Sequence, residues 1–158
     1  MLKQKSLKGF TLIEILVVVA LIAILTAITF IAINPAKNFQ DTRNAQRSAD
    51  VTQILNAITQ FTSEQGNTTA MLTNTDGIAI PTCTADPADM AFIGPASVAD
   101  TFVVLEPDLV DEYIVGIPVD PLAVTATNGY GYSICQTTGG RITINAPLAE
   151  GKTISVKR

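Results

Sequence analysis

The sequence predicts an α+β fold in which a long N-terminal helix, membrane-spanning in its first half and amphipathic in its second, packs on a small antiparallel β-sheet. Three observations carry this expectation. Residues 10–33 read FTLIEILVVVALIAILTAITFIAI, an apolar run whose only charge is Glu14. Beyond Pro35 the apolar residues recur at helical spacing as far as Gln65. Near the C-terminus three stretches, YGYSIC, RITIN and KTISVK, alternate with period two.

The apolar run sets the topology. As a helix, residues 10–33 are about 36 Å long, enough to cross a hydrocarbon core of about 30 Å. An ordinary secretory signal has a shorter apolar region followed by a small-residue cleavage site, and no A-x-A follows this one. Lys3, Lys5 and Lys8 precede it without any acid, so the positive-inside rule places residues 1–9 in the cytoplasm and the bulk of the chain outside. The expected organisation is a leader at 1–9, a transmembrane helix at 10–33, an amphipathic helix at 34–65 and a globular domain at 66–158.

Asn34-Pro35 interrupts the helical pattern, because proline lacks the N–H that would bond to Ile31 and disfavours helical backbone at Asn34. A kink or short melted stretch at Pro35 is expected there. The second helix should turn Ala45, Ala49, Val51, Ile54, Leu55, Ile58, Phe61 and Thr62 inward, with Arg43, Arg47, Asp50, Gln53 and Gln60 on the other face. Gly66 is its expected C-terminal cap, and a nearly continuous rod from Phe10 to Gln65 would measure about 80 Å. Residues 67–128 read as a loop-rich connection in which TFVVL and YIVGIPV form one or two short strands. In the final meander Tyr132, Ile134, Ile142, Ile144, Ile154 and Val156 share one apolar face, for which the helical stripe from Val51 to Phe61 supplies a cover.

Several chemistries are excluded or weakened. The chain has no histidine, which removes Ser-His-Asp triads, Cys-His dyads and His-ligated zinc. GKT at residues 151–153 lacks the earlier glycine of a phosphate loop, since position 146 is alanine, and GYGYSI lacks the third glycine of a dinucleotide motif. Cys83 and Cys135 are the two cysteines; both lie in the exported part, where a disulfide competes with two buried thiols as a reading. Net charge is −4; without the three leader lysines, 7 basic against 14 acidic residues leave about −7. No Lys or Arg occurs between Arg47 and Arg141, whereas eleven acids do. Such a surface repels phosphate backbones and argues against direct nucleic-acid binding, unless Lys152, Lys157 and Arg158 form a local patch at the C-terminus. Asp108, Asp111, Glu112 and Asp120 offer hard oxygen ligands for calcium, but their spacing matches no calcium loop, and a solvated acidic loop is the plainer reading. Nothing resembles a sugar cleft around paired carboxylates, and no other cofactor is implied.

Glu14 remains to be explained. A first-turn acid favoured by the helix dipole, or one snorkelling to the cytoplasmic interface, would account for it without any assembly role. However, KGFTLIEILVVVALIAIL resembles the N-terminal signature of bacterial type IV pilins and the pseudopilins of type II secretion, a prepilin leader of class III: a basic leader ending in glycine, then phenylalanine, then glutamate at the fifth position after the junction. IPVDPLAVTATNGYGYSI resembles the Pro-Asp-Pro to Gly-Tyr segment of many pseudopilins and short pilins.

The resemblance implies a non-catalytic filament subunit. A prepilin peptidase would cut between Gly9 and Phe10, and the freed amine of Phe10 would be methylated. An inner-membrane assembly platform would then move the helix from lipid into a helical homopolymer. On this reading Phe10 and Glu14 are the assembly residues, the ammonium of one subunit meeting the carboxylate of the next. A charge at a bilayer centre costs about 2.5 to 3.5 kcal/mol, and breaking a buried pair costs about 3 to 5, so the pairing would act as register control. The precursor would span the inner membrane once, with its N-terminus cytoplasmic; the product would be an extracellular or periplasmic filament. Retention of Glu14 favours a repeating, major subunit over a tip initiator. A secretion or DNA-uptake pseudopilin is the alternative within this class. A single-pass anchored ligand-binding protein is the alternative outside it.

Overall fold

The computed structural model describes residues 9–73, 78–84, 89–98 and 101–158. Residues 1–8 of the expected leader at 1–9, and the acids Asp76, Asp86 and Asp100, lie outside them. The chain divides into two compact units, Met1–Phe39 and Gln40–Arg158.

The first unit is dominated by α1, Leu12–Ile33, none of whose residues is buried. It is long and apolar enough to cross a membrane. Branched aliphatic side chains cover it on every side, which suits lipid or other helices and not water. Thr26 and Thr29 return their hydroxyls to the carbonyls of Ile22 and Leu25, one turn back, so the polar atoms within the run are satisfied by the helix itself. The expected break is a single residue: Asn34 adopts left-handed backbone (φ 43°) between α1 and α2, Pro35–Ser63. Asn34 Oδ1 accepts from Lys37 N, and Asn38 Nδ2 donates to the Ile33 carbonyl. Both helix ends at this joint therefore keep hydrogen-bond partners, and proline occupies the first helical position, where its missing N–H costs nothing.

In the second unit α2 runs to Ser63, ending two residues earlier than expected, with Gly66 at φ +101° in the turn that follows. A four-stranded antiparallel sheet runs in the order β1 (Ala91–Phe92), β2 (Ser133–Gln136), β3 (Ile142–Asn145), β4 (Ser155–Lys157). β2 to β4 are the three alternating stretches of the sequence. β1 was not legible, since two residues carry no period. TFVVL is buried from Phe102 to Leu105, yet it joins the sheet only through a parallel bridge between Val103 and Ile93; YIVGIPV forms no strand beyond the bridge from Val110 to Ile114. Short helices α3, Glu106–Leu109, and α4, Thr125–Asn128, lie in the connection. Cys83 and Cys135 are joined in a disulfide that ties the connection to β2.

Val51, Ile54, Leu55, Ile58 and Phe61 of α2 share one core with Tyr132, Ile134, Ile142, Ile144 and Ile154, and Val156 packs against it half-buried. The helix face differs from expectation at its N-terminal end. Arg47 and Asp50, expected on the solvent face, are buried, whereas Ala45 and Ala49, expected inward, are exposed. Polar partners across the interface account for the inversion.

Candidate assembly site and the buried polar clip

The N-terminus of α1 is a capping box. Thr11 is the N-cap; its hydroxyl oxygen accepts from Glu14 N, and Glu14 Oε2 accepts from Thr11 N at 2.8 Å and from the Thr11 hydroxyl at 3.0 Å. Threonine followed three residues later by glutamate is the sequence form of this motif. Both contacts converge on Oε2, which leaves Oε1 open. Gly9 and Phe10 precede the helix, and Phe10 is 85% exposed. Phe10, Ile13, Glu14, Val17 and Val18 line an open concavity on the helix surface. Its walls are apolar, and Glu14 is its one ionisable group. The site therefore combines an exposed apolar surface, the adjacent residues Gly9 and Phe10, and a carboxylate held in place by its own helix.

A family model of the prokaryotic N-terminal methylation motif matches residues 5–30. The chain carries the class III signal of type IV pilins and pseudopilins. No curated protein and no solved structure matches the chain. The structure brings Phe10 and Glu14, both within the matched residues, to the same end of α1 and places Pro35, beyond them, at the joint that ends the apolar run.

A second polar arrangement lies in the unit of residues 40–158. Arg47, with no exposed surface, donates from Nε to Asp120 Oδ2 at 2.5 Å and from Nη2 to Asp120 Oδ1 at 3.0 Å. Its Nη1 donates to Asn44 Oδ1 at 3.0 Å and lies 3.3 Å from Glu150 Oε2. Arg43 grips Glu150 through two contacts of 2.7 Å, and this bond, followed by the one from Arg47, holds the Glu150 carboxyl below the ordinary glutamate range. One turn further along, Tyr132 donates to Asp50 Oδ2 at 2.5 Å; burial, reinforced by that bond, pushes the phenol up. Tyr130 donates to Glu106, and burial raises it as well.

Glycine makes room for this clip. At Gly131, φ is +85°, and a Cβ would stand 2.5 Å from Asp120 Cβ. The segment from Ile117 to Ile134 thus supplies Asp120, Gly131 and Tyr132 to one buried cluster. Periodicity alone missed Arg47 and Asp50 because it sorts residues by polarity. Counting back from Val51 by four and then by three reaches Arg47 and Asn44, a signal that the stripe continues in polar residues.

The four acids considered for calcium do not come together. Asp120 is taken up by Arg47, Asp108 is half-buried, and Asp111 and Glu112 are exposed. Among the described residues no group of three or more potential metal-ligating side chains converges.

Proposed function

We propose that the chain is a prepilin cut between Gly9 and Phe10, methylated on the freed Phe10 amine, and polymerised as the repeating, major subunit of a type IV pilus. The methylation motif supports a type IV pilin or pseudopilin precursor. The observation that carries the finer reading is Glu14 with an open carboxylate oxygen, on a helix whose apolar residues are all exposed. Such a surface is stable in lipid or against other helices. A bundle of these helices is dry, and an ammonium or carboxylate enters it only when paired. Cleavage would remove three lysines and leave one ammonium at Phe10, next to the carboxylate-bearing turn. The N-terminal amine of one subunit would occupy the free side of Glu14 in its neighbour.

On this reading the partners are further copies of the chain, a prepilin peptidase, an inner-membrane assembly platform and, before assembly, membrane lipid. The precursor spans the inner membrane with its N-terminus cytoplasmic, and the filament projects beyond that membrane. The same chemistry serves a secretion or DNA-uptake pseudopilus, which electron microscopy of sheared surfaces distinguishes by the absence of long fibres. The decisive variant is Glu14→Ala. Insertion and cleavage should persist, read by the mass of the processed chain, while the subunit disappears from sheared filaments. Normal filaments from that variant, or an intact leader on the wild-type chain, would refute the reading, the latter in favour of an anchored ligand-binding protein.

A further inference from the structure

Arg43 and Arg47 are engaged by Glu150 and Asp120, whereas Arg141, Lys152, Lys157 and Arg158 form no salt bridge among the described residues. Three of them, Lys152, Lys157 and Arg158, follow one another along the outer edge of the sheet, and Arg141 lies beside Arg158 at one end of it. β4 is the outermost strand and carries Lys157. Arg158 exchanges backbone hydrogen bonds with Ile142, beside Arg141, and Lys152 lies in the turn leading into β4. Because Arg158 and Ile154 bond toward β3, antiparallel alternation directs the backbone groups of Ser155 and Lys157 outward, unpaired. Open grooves flank this edge, one of about 270 Å³ lined by Ser48, Thr52, Lys152 and Ser155, the other of about 230 Å³ reaching Thr59, Thr62 and Arg158.

An acidic segment follows the chain's passage along the opposite edge. From the bridge of Val103 with Ile93, beside β1, the chain enters α3 and the loop bearing Asp108, Asp111 and Glu112. No cation pairs with them among the described residues. Val115, 94% exposed, projects from the same loop.

We propose that the basic β4 edge is the docking surface for the acidic loop around Asp108, Asp111 and Glu112 of a second copy of this chain. This rests on the filament reading above and names the surfaces that would set its outer register. Two different patches meeting head to tail do not close on themselves, so the contact repeats along an open helical array. Complementary charge favours this pairing and repels acidic loop from acidic loop. A polynucleotide occupant would have to approach a chain of net charge −4, whereas the acidic loop is present wherever the basic edge is.

The test uses the full chain in its native host and reads sheared filament yield relative to processed subunit. Lys157→Glu with Arg158→Glu, and separately Asp111→Lys with Glu112→Lys, should each lower the yield about tenfold or more, while processing at Gly9 persists. Combining the two pairs should restore it. Independently, carbodiimide treatment of mixed light and heavy isotope-labelled wild-type filaments should join Lys152 or Lys157 of one subunit to Asp108, Asp111 or Glu112 of another. Unchanged yields, absence of rescue in a processed chain, or absence of those cross-links would overturn the proposal while leaving the filament reading intact. A wild-type chain that forms no filament refutes that reading itself.

Discussion

Replacing Asp120 with alanine should lower the stability of the unit formed by residues 40–158 by about 3 to 5 kcal/mol, the loss that accompanies removing one partner of a buried ion pair. The figure follows from the geometry. Both side chains are without exposed surface, two nitrogens of Arg47 lose their acceptor, and Leu122 N loses the 2.8 Å bond it donates to Asp120 Oδ1. Glu150, 3.3 Å from Arg47 Nη1, retains part of the compensation, which favours the lower end of the range. For a domain of this size, the melting temperature should fall by about 10 to 20 °C. Thermal unfolding of the detergent-solubilised full chain, followed by circular dichroism, measures it. Arg47→Met combined with Asp120→Leu should recover most of the loss, since the desolvation penalty disappears with both charges. A shift below about 3 °C in the single variant would show that Arg47 carries no buried charge dependent on Asp120, and the clip would have to be abandoned.

The acid limb of stability should involve Glu150. Its folded-state pKa is lowered, chiefly by the bond from Arg43, so its contribution is present above the unfolded carboxylate value of about 4.3 and is lost as pH falls through the lower folded value; Glu150→Gln should flatten that limb in an acid titration of melting temperature. At the alkaline end, Tyr113 is raised to about 12 by its bond to Glu64, and Tyr130 and Tyr132 are raised by burial. Their contribution is full below the unfolded phenol value of about 10 and declines as pH rises beyond it, which near-ultraviolet titration would detect as phenolate appearing only with unfolding. Reducing the disulfide between Cys83 and Cys135, 52 residues apart, should cost about 4 kcal/mol on the chain-entropy account; equal melting with and without reductant would contradict it.

Where one physical cause acts locally, the sequence announces the structure. The apolar run needs no tertiary partner to become a helix, and Thr11 with Glu14 forms its cap from residues three apart. β2, β3 and β4 follow from alternation over short turns, and Pro35 marks the helix break from its own chemistry. The buried clip was hidden because its halves are distant: Arg47 lies 73 residues from Asp120, and Asp50 lies 82 from Tyr132. An arginine is assigned to water unless its counter-charge is known, and the acid near Arg47 in sequence, Asp50, bonds Tyr132 and not Arg47. β1 and the buried run from Phe102 to Leu105 were obscured for a related reason, since they are ordered by packing against Ile93 and the α2 stripe and not by a period of their own. Glu14 was readable only through the motif that surrounds it.

The clip also bears on mechanics. Apolar contacts between a helix and a sheet are non-directional and individually weak, so under a lengthwise pull they yield one after another. A guanidinium gripped at two points does not yield by degrees: it holds or it breaks. In a fibre under tension, Arg47 would act as a shear pin, keeping α2 in place against its sheet until the load suffices to pull a charge out of its socket.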